Sequence, residues 1–243
     1  MSVRRDPDRA VLEGFHAVKH ALRFGAEIER MVCADRAAAQ ELADMLAPDV
    51  AAAMAQADEI GDAAIQEMTA MPPAGGIVAI ARRPAVALDA LLTDPSPRPI
   101  VLLEAPRRLG NIGACVRVAA AADAAGVLTT GASDPWHPDA LRGSAGLHFA
   151  LPVARVEDGT TFGGRPLVAL ATGGTPLGPG VVPPRAVLAF GTERHGLSDD
   201  LLARADARVE IPMREGVSSL NLATAVAVTL YSSSITTGRS RSS

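Results

Sequence analysis

Ile100-Val-Leu-Leu-Glu-Ala-Pro-Arg-Arg-Leu-Gly-Asn-Ile-Gly-Ala-Cys-Val-Arg117 is the stretch that decides the fold. Its first four residues form an unbroken apolar run, the mark of a strand buried on both faces. Beyond a loop containing Pro106, residues Cys115, Val118, Ala119 and Ala122 fall at i, i+3, i+4 and i+7. That spacing predicts a helix over about residues 112–124 with this face buried and Asn111 as its cap. A buried strand entering a helix through a glycine-bearing loop is the unit of a parallel sheet, and α/β sheets bind ligands at such loops.

The same pattern continues downstream. Residues 127–130, 167–171, 187–190 and 209–211 are strand-like, and Leu222, Ala225, Val226 and Thr229 mark a last helix. Strands alternating with helices give an α/β fold whose mainly parallel sheet is covered on both faces. Upstream, Phe15, Val18 and Leu22 recur at helical spacing, so a helix is predicted to open the chain. Strands at 28–33 and 76–81 and helices at 37–46 and 62–68 complete a small α/β unit. Asp94-Pro-Ser-Pro-Arg-Pro99 loses backbone donors at three prolines and sustains neither helix nor internal strand. The predicted division is a first domain over 1–83, a linker over 84–98 and a second domain over 99–243.

The formal charge of −4 in 243 residues weighs against a nucleic-acid partner, because neutralising phosphates supplies much of that affinity. Its distribution weighs the other way. Glu41, Asp44, Asp49, Asp58, Glu59, Asp62 and Glu67 crowd one stretch, whereas Arg82, Arg83, Arg98, Arg107, Arg108 and Arg117 outnumber Asp89, Asp94 and Glu104. A local basic face is compatible with this arrangement. Cys33 and Cys115 stand far apart, with no CxxC or Cys/His cluster, so neither a redox pair nor a metal site is predicted. The first residues are charged rather than apolar, and no run reaches the roughly 18 apolar residues of a membrane span. A soluble cytoplasmic protein is the expectation.

Two further segments share the position of the first, at strand-to-helix loops. Phe190-Gly-Thr-Glu-Arg-His-Gly-Leu-Ser198 leaves a strand; Gly191 allows a close backbone approach, and Ser198, before Asp199 and Asp200, is a good helix N-cap. His195 on its own reads as a solvated loop residue, since the chain has no GxSxG elbow to make a hydrolase of it. Ile211-Pro-Met-Arg-Glu-Gly-Val-Ser-Ser-Leu-Asn221 joins a strand to the last helix, where Ser219 and Asn221 are capping residues. Neither GxGxxG nor a Walker A loop is present, which argues against a dinucleotide or nucleoside-triphosphate enzyme.

Together the three segments resemble the motifs of the SpoU, or TrmH-like, group of the SPOUT superfamily of RNA ribose 2′-O-methyltransferases. Asn111, Gly113 and Arg117 match its first motif; Gly191, Glu193 and Gly196-Leu197-Ser198 match the second; Ile211-Pro212-Met213 and Ser219-Leu220-Asn221 match the third. Residues 12–18 and 75–80 are similar to the two ends of the small RNA-binding domain, akin to a ribosomal protein, that many members carry. Residues 142–153 resemble the segment between the first two motifs. Departures such as Val118 and Ala125 concern packing.

The resemblance implies a trefoil-knotted methyltransferase domain behind an RNA substrate-binding domain. It further implies S-adenosylmethionine as cofactor, held at Gly191, Ile211 and Leu220 with Thr172 and Met213, and no metal. Arg117 would be the catalytic arginine, oriented by Asn111, Glu193, Ser219 and Asn221. A homodimer is implied, acting on RNA, with ribosomal RNA favoured over transfer RNA because of the extra domain. The alternatives are a transfer-RNA enzyme and an RNA-binding protein that keeps the fold without catalysis.

Overall fold

The computed structural model describes residues 6–69, 73, 75–192 and 195–235. The chain forms two compact units, Met1–Ala85 with Trp136–Ala150, and Val86–Pro135 with Leu151–Ser243.

The first unit rests on four strands, β1 (Arg9–Glu13), β2 (Ile28–Cys33), β3 (Asp58–Glu59) and β4 (Ile77–Arg82), in the order β1-β4-β2-β3. Strand β4 is antiparallel to both β1 and β2, while β2 and β3 are parallel. Helices α1 (Phe15–Arg23), α2 (Arg36–Leu46), α3 (Ala51–Met54) and α4 (Asp62–Met68) complete it. Val11, Val32, Ile65 and Val78 form a core cluster between sheet and helices. A strand, not a helix, precedes α1, and this corrects the sequence reading. Arg9–Glu13 is short, and what makes it a strand is pairing with β4, some seventy residues away in the chain.

Trp136–Ala150 belongs with this unit, although the sequence reading leaves it in the second domain. It carries α7 (Pro138–Gly143) and a single 3-10 turn, Leu147–Phe149. The physical reason is specific packing. Gly146 (φ +80°) lies so close to α1 that a Cβ there would overlap the Ala17 carbonyl. His20 Nδ1 is 2.7 Å from the Ala145 carbonyl. Trp136 packs on His148 at 5.0 Å between ring centres, and the buried His148 bonds Ser144 Oγ at 2.7 Å.

The second unit is a six-stranded sheet in the order β10-β8-β9-β5-β6-β7, with all neighbours parallel. The strands are β5 (Ile100–Leu103), β6 (Gly126–Thr129), β7 (Val153–Arg155), β8 (Leu167–Pro176), β9 (Val187–Phe190) and β10 (Ala207–Glu210). Central β5 and β9 are buried throughout, as unbroken apolar runs require. Helices α5 (Leu88–Thr93), α6 (Leu109–Ala121), α8 (Asp199–Arg204) and α9 (Leu222–Ile235) accompany it.

Two sequence-based boundaries shift. Helix α5 occupies the stretch predicted as linker, with Leu91 and Leu92 in the core of the second unit. Its end is held by Arg165, 4% exposed, which donates to the carbonyls of Leu91, Leu92 and Asp94 at 3.0–3.1 Å. Helix α6 begins three residues earlier than predicted. Arg108 is its N-cap, with no side-chain bond, so Asn111 lies in the first turn rather than at the cap.

Candidate active site

At the C-terminal end of β5 the chain enters the loop before α6, and Glu104 ties it to the loop after β9. The Glu104 carboxylate accepts from Ser198 N at 2.7 Å and from Ser198 Oγ at 2.5 Å. Ser198 Oγ in turn accepts from Leu201 N at 3.2 Å, capping α8 as its sequence predicts. The loop after β9 folds back on itself, with Thr192 and Gly196 exchanging backbone bonds of 3.1 and 2.9 Å. This return decides what Gly191 is for. A Cβ at Gly191 would overlap the backbone of Gly196 and Leu197, so the absence of a side chain is what lets the chain return this closely.

The loop after β10 is anchored at both ends. Glu210 accepts from Gly173 N through its side chain at 2.7 Å and from Leu177 N through its carbonyl at 2.8 Å. At the far end Asn221 Oδ1 accepts from Ala223 N at 3.0 Å and Thr224 N at 3.4 Å, capping α9. The Asn221 amide also reaches Asn111 Oδ1 at 3.5 Å, the long limit of a hydrogen bond, and α9 lies against α6. Residues 110 positions apart in the chain are thereby joined.

These loops close a cleft of about 460 Å³, a size suited to a small molecule. Thr172, Gly191, Ile211, Met213 and Leu220, the residues named from sequence for cofactor binding, all line it. So does Ser219, whereas Asn111, Arg117 and Asn221 do not. Arg117 is exposed on α6 and makes no ion pair among the described residues. Glu193, matched to the second motif, lies outside the described residues. Apolar side chains from Leu170, Ile211, Leu220 and Leu222 suit a flat ring and an aliphatic chain, while Glu210, Ser218 and Ser219 offer polar contacts.

Sequence reasoning gives no site role to two glutamates here and reads His195 only as a solvated loop residue. Glu104 ties two loops, Glu210 stands at the cleft, and His195 lines both this cleft and a second one of about 440 Å³ beside it. The signal for the two glutamates is present in the sequence, since Glu104 directly follows the buried strand β5 and Glu210 ends β10. Among the described residues no group of three or more His, Cys, Asp or Glu side chains is placed to hold a metal ion, and no helix is long and apolar enough to cross a membrane.

A model of the SpoU rRNA Methylase family matches residues 98–231. The chain is 33% identical over 141 residues to the 23S rRNA (adenosine(1067)-2'-O)-methyltransferase of Streptomyces laurentii, covering 54% of this chain and 52% of that protein. It is likewise 33% identical over 144 residues to a 23S rRNA (uridine(2479)-2'-O)-methyltransferase of Streptomyces viridochromogenes, covering 54% and 50%. The chain thus spans about half the length of these curated relatives. Among solved structures it is similar to an AdoMet-bound rRNA methyltransferase from Sinorhizobium meliloti, with a TM-score of 0.73, 26% identity and coverage of 94% of this chain and 88% of that one.

Proposed function

Because the chain belongs to the SpoU rRNA methylase family, we propose that it transfers the methyl group of S-adenosylmethionine to a ribose 2′-hydroxyl of ribosomal RNA. The observation that carries this reading is the convergence of Thr172, Gly191, Ile211, Met213 and Leu220 on one cleft at the C-terminal edge of a parallel sheet. Relatives named as 23S rRNA ribose methyltransferases favour ribosomal over transfer RNA, and AdoMet-bound neighbours favour the cofactor.

The bound cofactor would supply an electrophilic methyl on a positively charged sulfur. The residues of this chain have the task of positioning, since alignment of the attacking oxygen behind that methyl provides much of the rate. In that transfer a C–O bond would form as the S–C bond breaks, and the hydroxyl proton would pass to solvent. Arg117 brings a planar fork of N–H donors and no acceptor, which suits a phosphate or an anionic oxygen. Its role in this proposal is to bind the target phosphate and to stabilise charge developing on the 2′-oxygen. Asn111, Glu193, Ser219 and Asn221 are assigned to orienting Arg117 and the substrate.

Arg117 lines no wall of the cleft in its own chain, which favours a homodimer whose partner completes the site. The outer face of α9 supports this, with Val228 at 36% and Tyr231 at 47% exposure on a helix without a charged residue. A monomer by light scattering at micromolar concentration would refute the dimer. A trefoil knot between the loops of β9 and β10, RNA contacts by the first unit and a cytoplasmic location belong to the same proposal.

The test is transfer of labelled methyl to separated rRNA and tRNA pools, with the modified nucleotide mapped. Label in rRNA as 2′-O-methyl is expected. Label in tRNA alone would move the substrate class, and none in either would favour a non-catalytic RNA-binding protein.

A further inference from the structure

The six arginines that the sequence groups between positions 82 and 117 do not share one environment. Arg82 pairs with Glu27 and Glu29 at 3.2 and 3.3 Å, and Arg83 donates to the Arg9 carbonyl at 2.8 Å, all within the first unit. Arg98 pairs with Asp94 and Asp123 at 3.2 and 3.5 Å. Arg107, Arg108 and Arg117 are exposed and make no ion pair among the described residues. Arg214, in the loop after β10 beside the cleft, is in the same state.

The first unit presents the opposite picture. Its sequence holds ten Lys and Arg against fourteen Asp and Glu, a formal charge of −4, while the second unit holds thirteen of each. Much of the cationic charge it has is spoken for. Arg9 pairs with Asp6 and Glu29, Arg23 with Asp49, and Arg142 with Asp139. A paired guanidinium gives up little by way of counterion release when a phosphate arrives, because it must first part from its carboxylate.

We infer that the sugar-phosphate backbone of the RNA docks on the second unit, on Arg107 and Arg108 before α6 and Arg214 after β10, and that the first unit contributes little electrostatic affinity. This inference rests on the proposed RNA substrate. It assigns phosphate contacts to Arg107, which lines the second cleft, to its neighbour Arg108, and to Arg214, which follows Met213 of the cofactor cleft, so that the surface that grips the RNA also brings it to the site. The first unit is left to read shape or unpaired bases through uncharged contacts.

The experiment is the salt dependence of binding to a 23S rRNA transcript by filter retention. It uses the full chain, an Arg107→Gln/Arg108→Gln variant, an Arg214→Gln variant and an Arg30→Gln/Arg36→Gln control in the first unit. S-adenosylmethionine binding and the thermal midpoint verify that each variant is folded. Every phosphate that the protein ceases to neutralise lowers the magnitude of the log–log slope by about 1. The expected result is a fall of about 2 for the Arg107/Arg108 pair, about 1 for Arg214 and none for the control. An unchanged slope in both second-unit variants, or a larger fall in the control, would overturn the inference while leaving the methyltransferase reading intact. If the unaltered chain binds cofactor but no RNA, the substrate reading fails and the docking surface fails with it.

Discussion

At the scale of single residues, Asn221 does two separable things. Its Oδ1 caps α9, and its amide reaches Asn111. Asn221→Ala should cost about 1 kcal/mol of stability, the usual worth of a cap. Asn221→Asp keeps the accepting oxygen but has no donor for Asn111 Oδ1, so it should keep stability while losing methyl transfer. Thermal unfolding and the transfer assay on both variants check this, and two variants equal in both measurements would contradict it. Read from local sequence, Asn221 is an ordinary cap and nothing more. Its link to Asn111 is illegible there, since no local pattern reports on a partner 110 residues away. Gly191 stands out in the sequence, but only the folded hairpin discloses that its missing Cβ makes room for Gly196 and Leu197.

Among the elements, the clearest in sequence are those whose partners matter least to their identity. Strands β5 and β9 are unbroken apolar runs, and such runs announce a doubly covered parallel sheet. Helix α5 is hidden by the prolines that follow it, because what holds it is Arg165, more than 70 residues on. The turn that ends α5 carries a pH signature. Asp94 accepts from Ser96 Oγ at 2.7 Å and Ser96 N at 3.0 Å and pairs with Arg98, which hold its carboxyl at about 2, below the usual carboxylate value. A lowered folded-state value makes this contribution complete above about pH 4, the unfolded-chain range, and removes it as pH falls through about 2. The stability gap between the parent chain and Asp94→Asn should therefore be constant at neutral pH and close in acid, as followed by thermal midpoints. A gap that persists unchanged at pH of about 2 would contradict the assignment.

For the molecule as a whole, most strands of the parallel sheet and helices α6 and α9 are readable from sequence, whereas β1, α5 and the allocation of Trp136–Ala150 to the first unit are not. That allocation depends on Gly146 meeting α1 and on His20 meeting Ala145, contacts without a sequence period. The same holds for the cleft, whose walls come from three separated stretches of chain. Its existence as a cofactor site is the central claim, and calorimetric titration with S-adenosylmethionine tests it most directly. One site per chain is expected. It should survive Arg117→Ala, which acts on the RNA, and be lost in Gly191→Val, whose side chain would force the Thr192–Gly196 hairpin open. No binding by the unaltered chain, or full binding by a folded Gly191→Val variant, would contradict the site as described.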